Sequence, residues 1–210
     1  MNITDILKLG PVMPVIVIDD AAQAVPLADA LLNGGINAIE ITLRTPAALD
    51  AIAAVAKARP QMAVGAGTIL TADDAANAAE AGAVFAVSPG ATDAIIAGCA
   101  SASIPLLPGA ASVSEMLALG EQGFDCLKFF PAGQSGGVKF LAALASPLPH
   151  FTFCPTGGVS LENAPDYLAL ANVACVGGSW IAPADLIAKG EFEEICNRAS
   201  KAAQLASRLQ

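Results

Sequence analysis

The chain has 210 residues, of which 55% are hydrophobic and only 14% are charged, and its formal net charge is −9. A chain of this length can bury roughly 70% of its unfolded surface, so these values favour one packed domain over residues 1–210 and exclude a disordered or fibrous protein. The few arginines form no cluster, so nucleic acid and anionic membrane surfaces are not expected as partners.

Apolar strand-like runs alternate with alanine-rich helical stretches along almost the whole chain. The runs end 20 to 26 residues apart, near Ile18, Leu43, Gly67, Ser88, Pro108, Phe130, Thr156 and Gly177. The clearest helical segments between them span residues 21–33, 47–59, 72–81, 112–122 and 163–171. Eight β-then-α units of one size predict an α/β domain with the (β/α)8 TIM barrel fold. The alternative is a doubly wound open sheet, which usually has fewer strands and less even spacing.

Two helical segments lie outside this repeat. An amphipathic N-terminal helix at residues 3–9 precedes the first strand, and we expect it to cap the lower face of the barrel. A final helix is predicted over residues 191–209.

Cysteine usage and hydropathy predict a cytoplasmic location. The five cysteines show no Cys-x-x-Cys spacing, and three of them lie in apolar strand-like runs, as is typical of buried thiols in a reducing compartment. The apolar run at residues 11–18 is too short to span a bilayer and does not follow a basic leader.

Polar and apolar residues alternate in the second predicted strand. Glu40, Thr42 and Arg44 share one face, because successive strand side chains point to opposite faces. The intervening apolar residues would pack outward against helices, so Glu40 and Arg44 should point into the barrel, with Arg44 nearer its upper mouth. Taken alone, the two residues could also form a purely structural ion pair.

Lys128 lies in the apolar run 126–131, which is predicted to be a short buried strand. The other five lysines fall in helical patterns, from which a long side chain can reach water. A buried lysine is either paired or neutral with a lowered pKa. A neutral amine attacks ketones, and the iminium that forms withdraws electrons from an adjacent carbon–carbon bond. The structural alternative is a lysine that is salt-bridged in the barrel interior or points outward at a strand edge.

Glycine-rich turns follow the last two predicted strands, at Thr156-Gly157-Gly158 and at Gly177-Gly178-Ser179. Their backbone N–H groups would lie at neighbouring loops, which is where (β/α)8 enzymes commonly hold a phosphate. The single histidine, His150, precedes the seventh strand and therefore falls at the lower face. A histidine cluster for a divalent metal ion is not available, so we expect a metal-free site for an anionic substrate.

Six segments carry a combined signature: Glu40-Ile41-Thr42-Leu43-Arg44-Thr45, Val64-Gly65-Ala66-Gly67-Thr68, Val87-Ser88-Pro89-Gly90, Leu127-Lys128-Phe129-Phe130-Pro131-Ala132, Phe153-Cys154-Pro155-Thr156-Gly157-Gly158 and Val176-Gly177-Gly178-Ser179-Trp180. In this order, over nearly the whole chain, they resemble the bacterial 2-keto-3-deoxy-6-phosphogluconate (KDPG) aldolases, class I enzymes of the Entner–Doudoroff pathway. One position departs from this likeness: Gly133 stands where similar sequences have a glutamate after Pro-Ala.

The resemblance implies a carbon–carbon lyase that cleaves KDPG reversibly to pyruvate and glyceraldehyde 3-phosphate, with side activity that cleaves 4-hydroxy-2-oxoglutarate to pyruvate and glyoxylate. It also implies a homotrimer that needs no cofactor, because a covalent Schiff base forms on Lys128. In the same likeness Glu40 is the general acid and base, and Arg44 with Thr68 binds the pyruvate carboxylate. The remaining implied contacts are the pocket walls Pro89 and Phe130 and the phosphate-end residues Thr156, Gly157, Gly158, Gly178 and Ser179.

Two other functions fit a barrel with these loops. A sugar-phosphate isomerase or epimerase would share the loop glycines, but it needs an acid/base pair and no buried amine. A phosphometabolite-binding or sensor protein would bind its ligand tightly without turnover.

Overall fold

The computed structural model describes residues 1–205 of the chain. The strands are β1 Val12–Ile16, β2 Ala38–Thr42, β3 Ala63–Gly67, β4 Phe85–Val87, β5 Leu106–Leu107, β6 Gly109–Ala110, β7 Cys126–Phe129, β8 Thr152–Pro155 and β9 Val176–Gly178. The helices are α1 Ile3–Leu7, α2 Ala24–Asn33, α3 Ala48–Ala58, α4 Ala72–Glu80, α5 Asp93–Ser101, α6 Val113–Glu121, α7 Gly137–Leu144, α8 Ala164–Leu168, α9 Ala184–Lys189 and α10 Phe192–Ala203, with a short 3₁₀ turn at Ala21–Gln23. None of the helices in this range has both the length and the apolar character needed to cross a bilayer.

The strands form two parallel sheets that together close a barrel. One sheet has the order β5-β4-β3-β2-β1-β9 and the other the order β6-β7-β8. Pro108 separates β5 from β6 because proline has no N–H to give to a ladder, yet its carbonyl still accepts a hydrogen bond from the Lys128 N–H at 2.8 Å. On the opposite side, parallel bridges join Phe153 to Val173 and Thr156 to Gly177. The predicted (β/α)8 barrel is therefore confirmed, with the fifth strand split in two.

The hydrophobic core has an outer and an inner part. Outward-facing strand residues such as Ile39 and Ile41 pack against the surrounding helices, as their alternation predicted. Inside the barrel, Met13, Phe85 and Leu107 form a second cluster. This inner cluster is built at the level where the strands begin, so the upper half of the interior is left to other side chains.

Helix α1 covers the lower end of the barrel, as predicted. Its residues Ile6 and Leu7 are each 1% exposed and belong to the inner cluster. Asn2 caps the helix by accepting a hydrogen bond from the Asp5 N–H at 2.8 Å, while the Asp5 carboxylate accepts one from the Asn2 N–H. The apolar side chains of α1 therefore fill the lower end of the interior.

Helix α10 is fixed by close packing on α2. A Cβ atom at Gly34 would collide with the Cβ of Ala199, so the two backbones approach more closely than larger residues would allow. Ile195, Ala199 and Ala202 are fully buried on the same face of α10. The predicted final helix is thus confirmed over Phe192–Ala203, and the part of that prediction beyond residue 205 lies outside the described residues.

Three cysteines line the barrel interior next to Lys128. Cys154 is the register partner of Lys128, Cys126 lies two residues before it, and the Cys175 thiol donates to the Cys154 sulfur at 3.6 Å. Burial raises the pKa of the Cys126 thiol to about 11, and the contact with Cys154 together with burial raises the pKa of Cys175. These thiols therefore behave as small apolar groups, whereas Cys196 on α10 is only half-buried.

We predict that a thiol reagent such as dithionitrobenzoate labels about one thiol, Cys196, in the folded protein at pH 8, and all five after denaturation. The reason is burial: with a pKa of about 11, only about one Cys126 thiol in a thousand is ionised at that pH. Absorbance at 412 nm measures the labelling. The variant Cys196→Ser should abolish the native signal, and fast labelling of a second thiol would contradict a closed barrel interior.

Candidate active site

The centre of the site is a buried contact between Glu40 on β2 and Lys128 on β7. The Lys128 Nζ atom lies 3.1 Å from Oε1 and 3.5 Å from Oε2 of Glu40, and the two residues are 4% and 3% exposed. The sequence left Lys128 as either neutral or paired, and the structure shows that it is paired. A proton can pass directly between the two groups across this distance, which turns the ammonium into a neutral amine beside its own acid.

Glycines on β3 make the room for this pair. The register places Gly65 opposite Glu40, and a Cβ atom at Gly67 would collide with the Glu40 carboxylate. The ring of Phe85 occupies the space that a Cβ atom at Gly65 would need. Both glycines thus lie inside the strand; the missing side chain of Gly67 makes room for the Glu40 carboxylate, and that of Gly65 makes room for the ring of Phe85.

Arg44 and Thr68 meet at the upper mouth, just beyond β2 and β3. The Arg44 Nε–H donates to Thr68 Oγ1 at 3.3 Å, and the guanidinium is exposed. Strand β2 ends at Thr42, whose hydroxyl donates to the Ile16 carbonyl at 2.7 Å, so Arg44 lies in the turn that follows. The predicted alternative of a Glu40–Arg44 ion pair is wrong, because Glu40 pairs with Lys128.

Thr68 has a left-handed backbone with φ of 61°. This conformation is uncommon for a β-branched residue, and such strain is found most often at binding sites. The Ile69 N–H bonds to the Val87 carbonyl at 3.1 Å, which ties the turn to the end of β4. The Thr68 hydroxyl is thereby held at the mouth beside the exposed guanidinium.

A cavity of about 400 Å³ lies between α6 and the loops after β4, β6 and β7, and Pro89 and Phe130 line it, whereas Glu40 and Lys128 do not. Phe130 links this cavity to the buried pair, because the Lys128 Nζ atom lies 5.4 Å from the centre of its ring. Glu115 also lines the cavity, but its carboxylate accepts hydrogen bonds from the N–H groups of Ala111 and Ser112, and these bonds, led by that of Ala111, hold its pKa below the usual value. Glu115 therefore caps α6 and is not the reacting acid.

The loops after β8 and β9 lie side by side. The bridge between Thr156 and Gly177 joins them, and the Thr156 hydroxyl occupies the space that a side chain at Gly177 would need. Gly157 and Gly158 have φ values of 93° and 75°, which L side chains rarely adopt. The bridge directs the Gly157 N–H toward β9, whereas within residues 1–205 the Gly158 N–H donates to no other residue and is free for the oxygen of an anion.

Gly133 lies directly against this double loop. Its N–H donates to the Gly157 carbonyl at 2.9 Å, and a Cβ atom there would touch Gly158 at ordinary contact distance. Gly178 is buried at the end of β9, and Ser179 follows it in an exposed position. The phosphate-end residues inferred from the resemblance therefore lie on two adjoining loops of the upper face.

His150 lies far from this arrangement. It is exposed at the start of β8, where its ring stands 4.2 Å from that of Phe151, at the lower end of the barrel as predicted. In the part of the chain that the structure describes, no group of three or more His, Cys, Asp or Glu side chains is arranged to hold a metal ion.

Sequence reasoning missed two parts of the site. It assigned no role to Gly65 and Gly67 in making room for buried side chains, although glycines at alternate positions of an apolar strand indicate close approach. It also assigned no functional role to Trp180. The ring of Trp180 covers Gly178 so closely that a side chain at that position would collide with it, and no sequence pattern indicates this contact.

Comparison with known proteins gives a consistent result. Residues 3–198 match the family model described as "Aldolase: KDPG and KHG aldolase". The KHG/KDPG aldolase of Escherichia coli (strain K12) is 48% identical over 199 residues, which cover 95% of this chain and 93% of that protein.

Solved structures agree as well. A KDPG aldolase from Legionella pneumophila, with pyruvate captured at low pH as a covalent carbinolamine intermediate, is 42% identical with a TM-score of 0.92 and covers 95% of this chain and 97% of its own. The 2-keto-3-deoxy-6-phosphogluconate aldolase of Zymomonas mobilis ZM4 with 3-phosphoglycerate is also 42% identical, with a TM-score of 0.92. The match covers 98% of this chain and 97% of that one.

The buried pair yields a stability prediction. Lys128→Met leaves the Glu40 carboxylate buried without its partner, so the free energy of unfolding should fall by about 3 to 5 kcal/mol. The double variant Glu40→Gln/Lys128→Met removes both charges and should recover a large part of that loss. Urea unfolding followed by circular dichroism measures the parent, the single variants Lys128→Met and Glu40→Gln, and the double variant. If the double variant loses as much unfolding free energy as the two single variants together, the side chains are not energetically coupled and the prediction is wrong.

Proposed function

The chain belongs to the KDPG and KHG aldolase family, and we propose that Lys128 is the amine on which its reaction takes place. It is a carbon–carbon lyase that cleaves KDPG reversibly to pyruvate and glyceraldehyde 3-phosphate. 4-Hydroxy-2-oxoglutarate, cleaved to pyruvate and glyoxylate, is its second substrate. The observation that carries the assignment of Lys128 is its 3.1 Å contact with Glu40 inside a barrel that is open at one end.

The first step makes the covalent bond. Lys128 passes a proton to Glu40 and adds as a neutral amine to the C2 ketone of the substrate, which gives a carbinolamine. Glu40 returns that proton to the departing hydroxyl, so water leaves and the iminium forms. The Legionella relative holds pyruvate as a carbinolamine, which supports this order of events. No separate cofactor is required, since the iminium is itself the electron sink.

The second step breaks the C3–C4 bond. Its electron pair moves into the iminium and gives an enamine, while Glu40, again a carboxylate, takes the proton of the C4 hydroxyl directly or through a water. The aldehyde leaves, C3 is protonated, and hydrolysis of the new iminium releases pyruvate and restores Lys128. One carboxylate at hydrogen-bond distance thus serves every proton transfer around the amine.

Arg44 and Thr68 are proposed to hold the carboxylate of the keto acid. The exposed guanidinium offers a fork of N–H donors that matches a carboxylate in two places, and the Thr68 hydroxyl lies 3.3 Å from its Nε atom. Binding the carboxylate at the mouth fixes the plane of the iminium relative to the bond that breaks. Pro89 and Phe130 would form the apolar walls beside that plane.

The phosphate is proposed to bind on the loops after β8 and β9. The donors proposed there are the free N–H group of Gly158 together with Gly157, Gly178 and Ser179, and Thr156 lies just below. The 3-phosphoglycerate held by the Zymomonas relative supports a phosphorylated three-carbon fragment as the ligand. The isomerase or epimerase alternative finds no support, because the relatives are aldolases.

We further propose a cytoplasmic enzyme of the Entner–Doudoroff pathway. Five free cysteines, four of them buried, fit a reducing compartment.

A homotrimer is proposed, as the family resemblance implies. Its support is the exposed apolar pair Val113 and Leu117, which lie one turn apart on α6 and are 40% and 47% exposed. Sedimentation equilibrium should give three times the chain mass, and Leu117→Glu should lower it, because a charge would be buried in the contact. The matched substitution Leu70→Glu, at another exposed leucine, should leave the mass unchanged. A parent protein that sediments as a monomer would contradict the proposal.

The assignment of Lys128 is tested by reductive trapping. Incubation with pyruvate and borohydride should add a reduced pyruvyl group to the peptide that contains Lys128, as read by mass spectrometry. Lys128→Met should abolish KDPG cleavage, and Glu40→Gln should lower kcat by about 10² to 10⁴-fold because proton transfer is lost.

Lys139 provides the control, since it is an exposed lysine on the neighbouring helix α7. Lys139→Met should be trapped and should turn over KDPG like the parent enzyme. An adduct on a residue other than Lys128, or a Lys128→Met enzyme with full activity, would overturn the assignment.

A further inference from the structure

The structure assigns a positioning role to Arg198, a residue of α10 that holds the phosphate-end loop from behind. This inference deepens the proposed function and depends on it. Arg198 lies outside the loops that would touch the substrate, and neither its sequence context nor the resemblance marks it. One hydrogen bond joins its guanidinium to the loop after β9, and two further contacts connect that bond to Gly178 and to the body of the barrel.

The first contact is a hydrogen bond to the backbone of that loop. The Arg198 Nη1–H donates to the Trp180 carbonyl at 3.0 Å, in a partly buried position. The Nε–H of the same guanidinium donates to Glu194 Oε1 at 2.7 Å, one turn earlier on α10. Glu194 therefore fixes the plane of the guanidinium, and the guanidinium fixes the position of the Trp180 carbonyl.

The second contact joins Trp180 to Gly178, which belongs to the proposed phosphate-binding residues. The six-membered ring of Trp180 lies on Gly178, where no residue with a side chain would fit. Gly178 ends β9 and pairs with Pro14 of β1, and the exposed Ser179 follows it. With its carbonyl held on one side and its ring seated on Gly178 on the other, Trp180 leaves the intervening Ser179 little freedom.

The third contact fixes the helix that carries Arg198. The close approach of α10 to α2 at Gly34 and Ala199 fixes the residue that follows Arg198 to the body of the barrel. Arg198 thus projects from a rigid helix and not from a mobile tail. It can order donors that bind an anion without itself touching that anion.

The ordering has a specific chemical consequence. Donors that are held in place before binding lose less conformational entropy when the phosphate arrives. The keto acid end, bound at Lys128, Glu40 and Arg44, lies on other strands and does not depend on this loop. Loosening the loop should therefore affect phosphorylated substrates and spare the unphosphorylated substrate 4-hydroxy-2-oxoglutarate.

The experiment compares Arg198→Met with the parent enzyme on both substrates. Methionine keeps much of the apolar stem and removes the guanidinium. We expect KM for KDPG to rise about tenfold with kcat nearly unchanged, which corresponds to the loss of one hydrogen bond made by a charged group. KM and kcat for 4-hydroxy-2-oxoglutarate should stay within twofold of the parent values. The yield of borohydride trapping with pyruvate should also stay within twofold. Arg198→Lys, which restores the charge without the fork, should recover only part of the loss.

Lys201→Met is the matched control. Lys201 is an exposed cation one turn further along α10, and it lines a surface groove that Arg198 and Trp180 also line. It should leave both KM values unchanged. If Arg198→Met raises both KM values equally, or changes only the melting temperature, the residue is structural and the inference is wrong. If the parent enzyme itself cleaves 4-hydroxy-2-oxoglutarate but not KDPG, the proposed phosphate site fails. Unchanged KDPG kinetics in Arg198→Met would overturn the positioning role alone.

Discussion

One contact organises this molecule: an ammonium group and a carboxylate that meet inside a dry barrel. Removing both Lys128 and Glu40 from water is costly, and their attraction offsets that cost only if each has the other within hydrogen-bond distance. The 3.1 Å separation meets that condition. In the proposed mechanism the same closeness makes the amine reactive, because the group that neutralises its charge in the resting state is also the group that accepts its proton.

The surrounding barrel is shaped by what this contact requires. Strand β3 has glycine at positions 65 and 67. The ring of Phe85 occupies the space beside Gly65, and the Glu40 side chain occupies the space beside Gly67. Burial raises the pKa of the Cys126 thiol, and the contact with Cys154 together with burial raises the pKa of Cys175, so these two groups add no anion to the interior beside the ammonium. Arg44 and Ser179 meet water at the upper rim.

Much of this arrangement could be predicted from the sequence, and the part that could not has a physical explanation. Even spacing and period-two alternation are local properties, so they correctly indicated the barrel, the inward side chain of Glu40 and the burial of Lys128. Which acid meets which base depends on the closure of the barrel, which brings β2 and β7 together across 88 positions of sequence. The alternation in β2 left a Glu40–Arg44 ion pair open as a structural alternative, but β2 ends two residues before Arg44, which lies in the turn beside Thr68. The contact of Arg198 with Trp180 is likewise long-range, and no periodicity encodes it.

The cap formed by α1 acts on the buried pair through the medium that it creates. Its side chains Ile6 and Leu7 fill the lower end of the interior with apolar groups and are each 1% exposed. A floor of low polarity strengthens the attraction between the Lys128 ammonium and the Glu40 carboxylate, because less solvent screens the two charges. A five-residue helix at the far end of the barrel thus helps to hold together a pair to which it contributes no atom.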